Sequence, residues 1–155
     1  MRNVTLGIAA VAFSCATAAQ TPAETPASRY DADLATKLGG DDYGMRKYVL
    51  VILKTGPNKM VAGPEHDAMM KGHFSNMKRL ADEGKLVVAG PLDGVDGWQG
   101  MFVFNATDIE EAKKLTGTDP AIAAGAMVAE YHRYFASAAL MQVKSVHEKI
   151  AKKQF

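Results

Sequence analysis

The amino-acid sequence predicts a single domain of the α+β class. Three observations carry this. Short β-branched and aliphatic runs, such as Met45–Lys54 and Leu86–Ala89, lie between glycine and proline stops. Pro64–Glu83 instead repeats its apolar residues at helical spacing. The chain has 155 residues, enough for one hydrophobic core and too few for two comfortable ones.

Taken in order, Tyr30–Leu38 is a short amphipathic helix, with Asp31 or Asp33 to cap it and Gly39-Gly40 to end it. Met45–Lys54, "MRKYVLVILK", alternates at its start and then becomes continuously apolar, as a central strand would. Thr55-Gly56-Pro57-Asn58 breaks it. The long helix follows over Pro64–Glu83, with proline in its first turn and Gly84 as its stop. Met70, His73, Met77, Leu80 and Ala81 make its apolar stripe. Leu86–Ala89 is the second strand, ended by Gly90-Pro91, and Met101–Phe104 is the third. The glycine-rich link between them, "LDGVDGWQG", is short enough for antiparallel pairing.

Thr107 or Asp108 caps a second helix that ends by Gly117, with Glu110 and Glu111 near its positive end. Asp119-Pro120 starts a further helical turn that stops at Gly125. Met127–Phe135 alternates as a fourth strand. Ser137 caps a final helix to about Lys152. The order β-α-β-β-α-β is the ferredoxin-like split pattern with an antiparallel four-stranded sheet, and an extra C-terminal helix follows it.

Composition narrows the function. Apolar residues make up 48% and charged residues 23%, with a formal net charge of +1. Neither a nucleic-acid footprint nor an acidic tail fits such a balance. Residues 1–19 read as a signal peptide: Arg2 supplies the positive n-region, Val4–Phe13 the apolar run, and Ala16 to Ala19 the small residues before cleavage. That run is too short to span a membrane, which takes about 20 residues. Export to a periplasm or the exterior is therefore expected. The single cysteine, Cys15, falls inside this segment. As a lipoprotein site it is disfavoured by Phe13 and Ala12 before it, and cleavage would remove it with the leader. Residues 20–44 are a spacer, beginning with the Pro- and Thr-rich "QTPAETPA" and holding the short helix. The domain proper is 45–135, and 136–155 is the terminal helix.

Three segments, "MRKYVLVILKTGP", "HFSNMKRLADEGKLVVAGPL" and "EEAKKLTGTDPAIAAGAM", resemble the YCII-related family. The similarity covers roughly Met45 to Phe135. Its most specific parts are the spacing of His73 to Gly84 followed by "AGPL", and Asp-Pro with a glycine five residues on. The resemblance implies a dimeric α/β barrel, in which two ferredoxin-like protomers pack sheet to sheet. It also implies a catalytic pair, which falls here on His73 and Asp119. Relatives of the barrel type include muconolactone isomerases and dehydrochlorinases of hydroxylated aromatics, so a small-molecule substrate is expected.

Each candidate has a structural alternative. His73 stands on an apolar stripe, where an unpaired polar ring costs roughly 1–3 kcal/mol, so a backbone carbonyl would serve it as well as a catalytic partner. Asp119 before Pro120 is an ideal N-cap, and capping is compatible with catalysis. If its carboxylate reaches His73 it fixes the imidazole tautomer. His73 would then move a proton next to a carbonyl or from a phenol. Backbone N–H groups at Gly90 and in "GVDGWQG" are expected to steady the enolate-like charge. Trp98 is either a loop anchor or a stacking wall for a planar ligand. Arg46, Tyr48 and Arg133 could also reach a sheet-lined cavity, but each reads first as a strand surface residue.

No cofactor is assigned, and no metal. His66 and His73 are seven residues apart, about 10.5 Å along a helix, too far to clasp one ion. Met69 and Met70 between them are the soft ligands copper favours. The nine methionines of the chain are read instead as core filler. His132 and His147 read as exposed or strand-face residues. Three functions stay open. An enzyme requires His73 and Asp119 within hydrogen-bond reach in a cavity; a ligand-binding module requires only the cavity; a dimeric scaffold requires neither.

Overall fold

The computed structural model describes residues 30–153. The signal peptide expected over residues 1–19, with Cys15, and the start of the spacer lie outside the described residues. The described chain runs α1 (Ala32–Leu38), β1 (Met45–Thr55), α2 (Pro64–Asp82), β2 (Leu86–Pro91), β3 (Trp98–Phe104), α3 (Ile109–Thr116), α4 (Pro120–Ala123), β4 (Met127–Ser137) and α5 (Val143–Ile150). The strands form one antiparallel sheet in the order β2-β3-β1-β4, the expected ferredoxin-like arrangement.

Alternation along β1 divides the core in two. Val49, Val51 and Leu53 point to the face covered by the helices and pack with Phe102, Phe104, Leu80 of α2 and Ala112 of α3. Tyr48 points to the opposite face and packs with Val87, Val103 and Ala136. Leu140 and Met141, from a 3-10 segment over Ala138–Gln142, cover part of that second face.

Several boundaries differ from the sequence reading, four of them with a clear physical reason. β2 runs through Gly90-Pro91 instead of ending before them, since a proline without an N–H is tolerated at the end of an edge strand. Trp98 opens β3 and is not in the loop. The loop is compressed into a 3-10 turn, Val95–Gly97, with left-handed Gly94, Asp96 and Gly97, so pairing begins three residues earlier. β4 continues to Ser137. The terminal helix is two pieces: Ser137 Oγ accepts from Ala139 N–H to start the 3-10 segment, and α5 begins only at Val143. The tighter first piece turns Leu140 and Met141 back onto the sheet. Other local signals act as read. Asp31 caps α1 and Gly39 closes it at φ 68°, Asp108 caps α3, and Gly84 follows α2 at φ 67°. No helix among the described residues is long and apolar enough to cross a membrane.

Candidate functional site

α2 brings His73 beneath its apolar face, where the residue is only 5% exposed. The imidazole stacks 6.1 Å from the ring of Phe102 on β3, and half-exposed Phe74 stands edge-on at 5.4 Å. A polar ring in such surroundings needs a partner, and Asp119 is that partner. His73 Nδ1 lies 2.7 Å from Asp119 Oδ2, across 46 residues of sequence. Asp119 is 1% exposed.

Capping and pairing are done by the same carboxylate, one oxygen each. Asp119 Oδ1 accepts from Ala121 N–H at 2.9 Å, which caps α4, while Oδ2 faces the imidazole. A carboxylate that only accepts hydrogen bonds would place the ring proton on Nδ1, the nitrogen that faces it. In the neutral ring the free lone pair then sits on Nε2. Among the described residues the one buried side-chain nitrogen or oxygen with no hydrogen bond is Arg46 Nε. His73 Nε2 has no hydrogen-bond partner among them either, so it is not sealed from solvent.

Two arrangements that the sequence reading missed hold the pair together. Gly72 and Pro120, the neighbours of His73 and Asp119, meet where α2 passes α4. A Cβ on Gly72 would stand 2.9 Å from Pro120 Cγ. A glycine inside a helix costs about 1 kcal/mol relative to alanine, and that cost was the available signal. One turn on, buried Asn76 accepts from Thr118 Oγ1 at 2.9 Å and from Arg79 Nη2 at 2.8 Å. Thr118 precedes Asp119, so this cluster ties the α3–α4 link to α2. An asparagine on a helix face gives no sequence cue to a threonine 42 residues away.

None of the remaining candidates makes a hydrogen bond or ring contact with this pair among the described residues. The Arg46 guanidinium donates to Leu38 O at 2.7 Å and to Asn105 Oδ1 at 2.6 Å, and lies 5.3 Å from the Tyr48 ring centre. Tyr48 is 2% exposed in the second core cluster, its hydroxyl donates to Ser137 O at 3.1 Å, and burial pushes its pKa up. Trp98 registers with Lys54, whose ammonium lies 5.7 Å from its ring centre. Four residues separate it from Phe102, roughly 13 Å along a strand. Gly90 registers with Met101 on the edge strand, and a Cβ there would meet open space. Arg133 registers with Val49 and is exposed on β4. His132 Nε2 pairs with Glu130 Oε1 at 2.7 Å, and His147 is exposed on α5.

Two surface pockets flank the domain. One, of about 340 Å³, lies at the start of α2 and is lined by His66, Met70 and Met127 among others. The second, of about 650 Å³, is lined by Asp41, Arg46, Lys47, Asn105 and Phe135. His73 and Asp119 line neither, though Met70 stands one helical turn from His73.

No curated protein matches the chain. A family model, that of the YCII-related domain, matches residues 47–133. The match runs from β1 into β4, so it takes in both His73 and Asp119 and leaves out α1 and the segment after the sheet. With more than half of its length covered in this way, the chain belongs to the YCII-related family.

Proposed function

We propose that His73 and Asp119 form a proton-transfer centre acting on a small cyclic or carbonyl-bearing compound, in an isomerase, lyase or dehydrohalogenase reaction. One observation carries the reading: a buried imidazole gives Nδ1–H to a carboxylate and keeps Nε2 unpartnered and unsealed. Nε2 takes a proton from a carbon beside a carbonyl, or from a phenol. The ring becomes an imidazolium steadied by Asp119, and the proton is returned at another position or lost with the leaving group. A general base of this kind contributes typically 10²–10⁴-fold to a rate.

The test is deuterium uptake and halide release, followed by NMR in D₂O, across unsaturated lactones, cyclic enones and chlorinated phenols. Turnover that disappears in His73→Ala supports the centre. Native-rate turnover by His73→Ala removes it. A binding module without catalysis is the second reading, favoured by two pockets that the pair does not line. Saturable binding of panel compounds with no exchange in the native protein identifies that case.

The working form in this reading is a homodimer packed through the second sheet face. Val128 and Tyr134 of β4, 42% and 38% exposed, share that face with Leu50 and Ile52 in the β1–β4 register. Sedimentation as a monomer at micromolar concentration would refute it. Export through residues 1–19 belongs to the same reading, and rests on the n-region, apolar run and small residues of the leader. The N-terminal mass of the protein from its native host reads it directly, including any lipid on Cys15.

A further inference from the structure

Only some of the methionines behave as core filler. No methionine is among the buried core residues described. Met77, Met101, Met127 and Met141 pack against one core cluster or the other, whereas Met60, Met69 and Met70 are half-buried and belong to neither. Those three meet at the 340 Å³ pocket, together with Met127 and His66. The helix explains part of this gathering. Met69 and Met70 follow His66 by three and four residues on α2, and side chains at that spacing share one face. Met60 comes from the loop before α2 and Met127 from the start of β4, so three separate segments converge.

The donor set is one imidazole and four thioethers, all neutral and mostly soft. Thioether sulfur selects Cu(I) over hard or borderline divalent ions. No group of three or more His, Cys, Asp or Glu side chains that could hold a metal occurs among the described residues, so no competing harder site is present among them. Lys59 also lines the pocket, and its charge opposes a divalent ion more than a monovalent one. His66 Nδ1 lies 3.4 Å from Asp67 Oδ1, which favours a proton on Nδ1 and leaves Nε2 free as a ligand.

We infer that this pocket is a binding site for a soft monovalent metal ion, Cu(I), held by His66 and the thioethers of Met60, Met69, Met70 and Met127. The site is independent of the His73–Asp119 centre.

The full chain is titrated with Cu(I) under anaerobic conditions against a chromophoric Cu(I) chelator. Ag(I) serves as a redox-inert second probe, read by native mass spectrometry. One ion binds per chain, and the methyl resonances of Met60, Met69, Met70 and Met127 shift while those of Met45, Met101 and Met141 stay in place. Met69→Leu with Met70→Leu keeps the side-chain volume and lowers the affinity roughly 10–100-fold. Met60→Leu, in a loop where folding is not at stake, weakens it in the same direction. His147→Ala, at an exposed position on α5, leaves the affinity unchanged. The inference is overturned if the chelator retains all the Cu(I), if the leucine variants bind as tightly as the native chain, or if Zn(II) binds more tightly than Ag(I).

Discussion

Gly72 and Pro120 touch so closely that a single methyl group between them would have no room: the missing Cβ would lie 2.9 Å from Pro120 Cγ. Each residue is bonded to one member of the buried pair. Gly72→Ala should therefore act on the site as well as on stability. Helix propensity alone would stabilise the variant by about 1 kcal/mol. The rigid proline ring cannot yield as a flexible side chain would, so a net loss of about 1–3 kcal/mol is expected from overpacking. Chemical denaturation reads the sign. The Nδ1 proton resonance of His73 should broaden or move as α4 is pushed away. A stabilised variant with that resonance unchanged would contradict the contact.

Asp119 separates its two duties under two substitutions. Asp119→Asn retains an oxygen for Ala121 N–H, since asparagine caps as well as aspartate, and should cost little stability. Its amide group facing His73 is a donor, which moves the ring proton to Nε2 and would remove the proposed base. Turnover should fall by roughly 10³–10⁴, the scale of a wrong tautomer in a comparable dyad. Asp119→Ala loses the cap as well and leaves Nδ1–H without a partner, for about 2–4 kcal/mol in all. Equal melting temperatures for the two variants would mean that the cap contributes nothing.

Glu111 sets a pH dependence with a definite sign. Its carboxylate accepts from Thr107 N–H at 2.9 Å, from Lys85 Nζ at 3.0 Å and from Thr107 Oγ1 at 3.0 Å. These bonds hold its pKa at about 2, below the ordinary 4.5, with the Thr107 backbone bond the largest cause. A depressed folded-state pKa means stability that is present above the unfolded value and lost as pH falls through the folded one. Glu111→Gln should therefore melt a few degrees below the native protein at pH 7. The gap should narrow between about pH 4.5 and pH 2. A gap that stays constant over that range would contradict the assignment.

Arg46 fastens α1 to the sheet through Leu38 O and Asn105 Oδ1. Lysine cannot reproduce two divergent donors from one planar group. Arg46→Lys should raise amide exchange in Ala32–Leu38 by roughly tenfold or more, as expected for about 1.5 kcal/mol lost from charge-assisted bonds. Exchange in β1 and β3 should change little. Uniform acceleration across the whole chain would mean that α1 is part of the global folding unit.

The fold could be read from the sequence because its signals are local. Asp31, Asp108 and Asp119 cap helices within a few residues of themselves, Gly84 ends α2, and β1 carries an unbroken aliphatic run. The glycine-rich loop was misjudged because three positive-φ positions within four residues, at Gly94, Asp96 and Gly97, shorten it more than its composition suggests. At the site, His73 was conspicuous as a polar residue on an apolar stripe, and its pairing with Asp119 came from resemblance and not from spacing. Asn76 and Thr118 were invisible because their partnership exists only once α2 and the α3–α4 link are packed. Some of the methionines, Met60, Met69 and Met70, were misplaced for a similar reason. Composition counts thioethers, but only the packed helix and loop reveal which of them miss the core.

The 3-10 segment after β4 has a consequence for assembly. Two sheets in face-to-face contact are about 10 Å apart, a gap filled by interlocking side chains with no room for a backbone. Over Tyr48, Val87 and Val103 the chain already supplies its own roof in Leu140 and Met141. In the proposed homodimer a second copy would meet Leu140 and Met141 there, and bare sheet only toward the β4 margin, where Val128, His132 and Tyr134 are exposed. The proposed twofold pairing through this face would then be off-centre, displaced by the chain's own Leu140 and Met141.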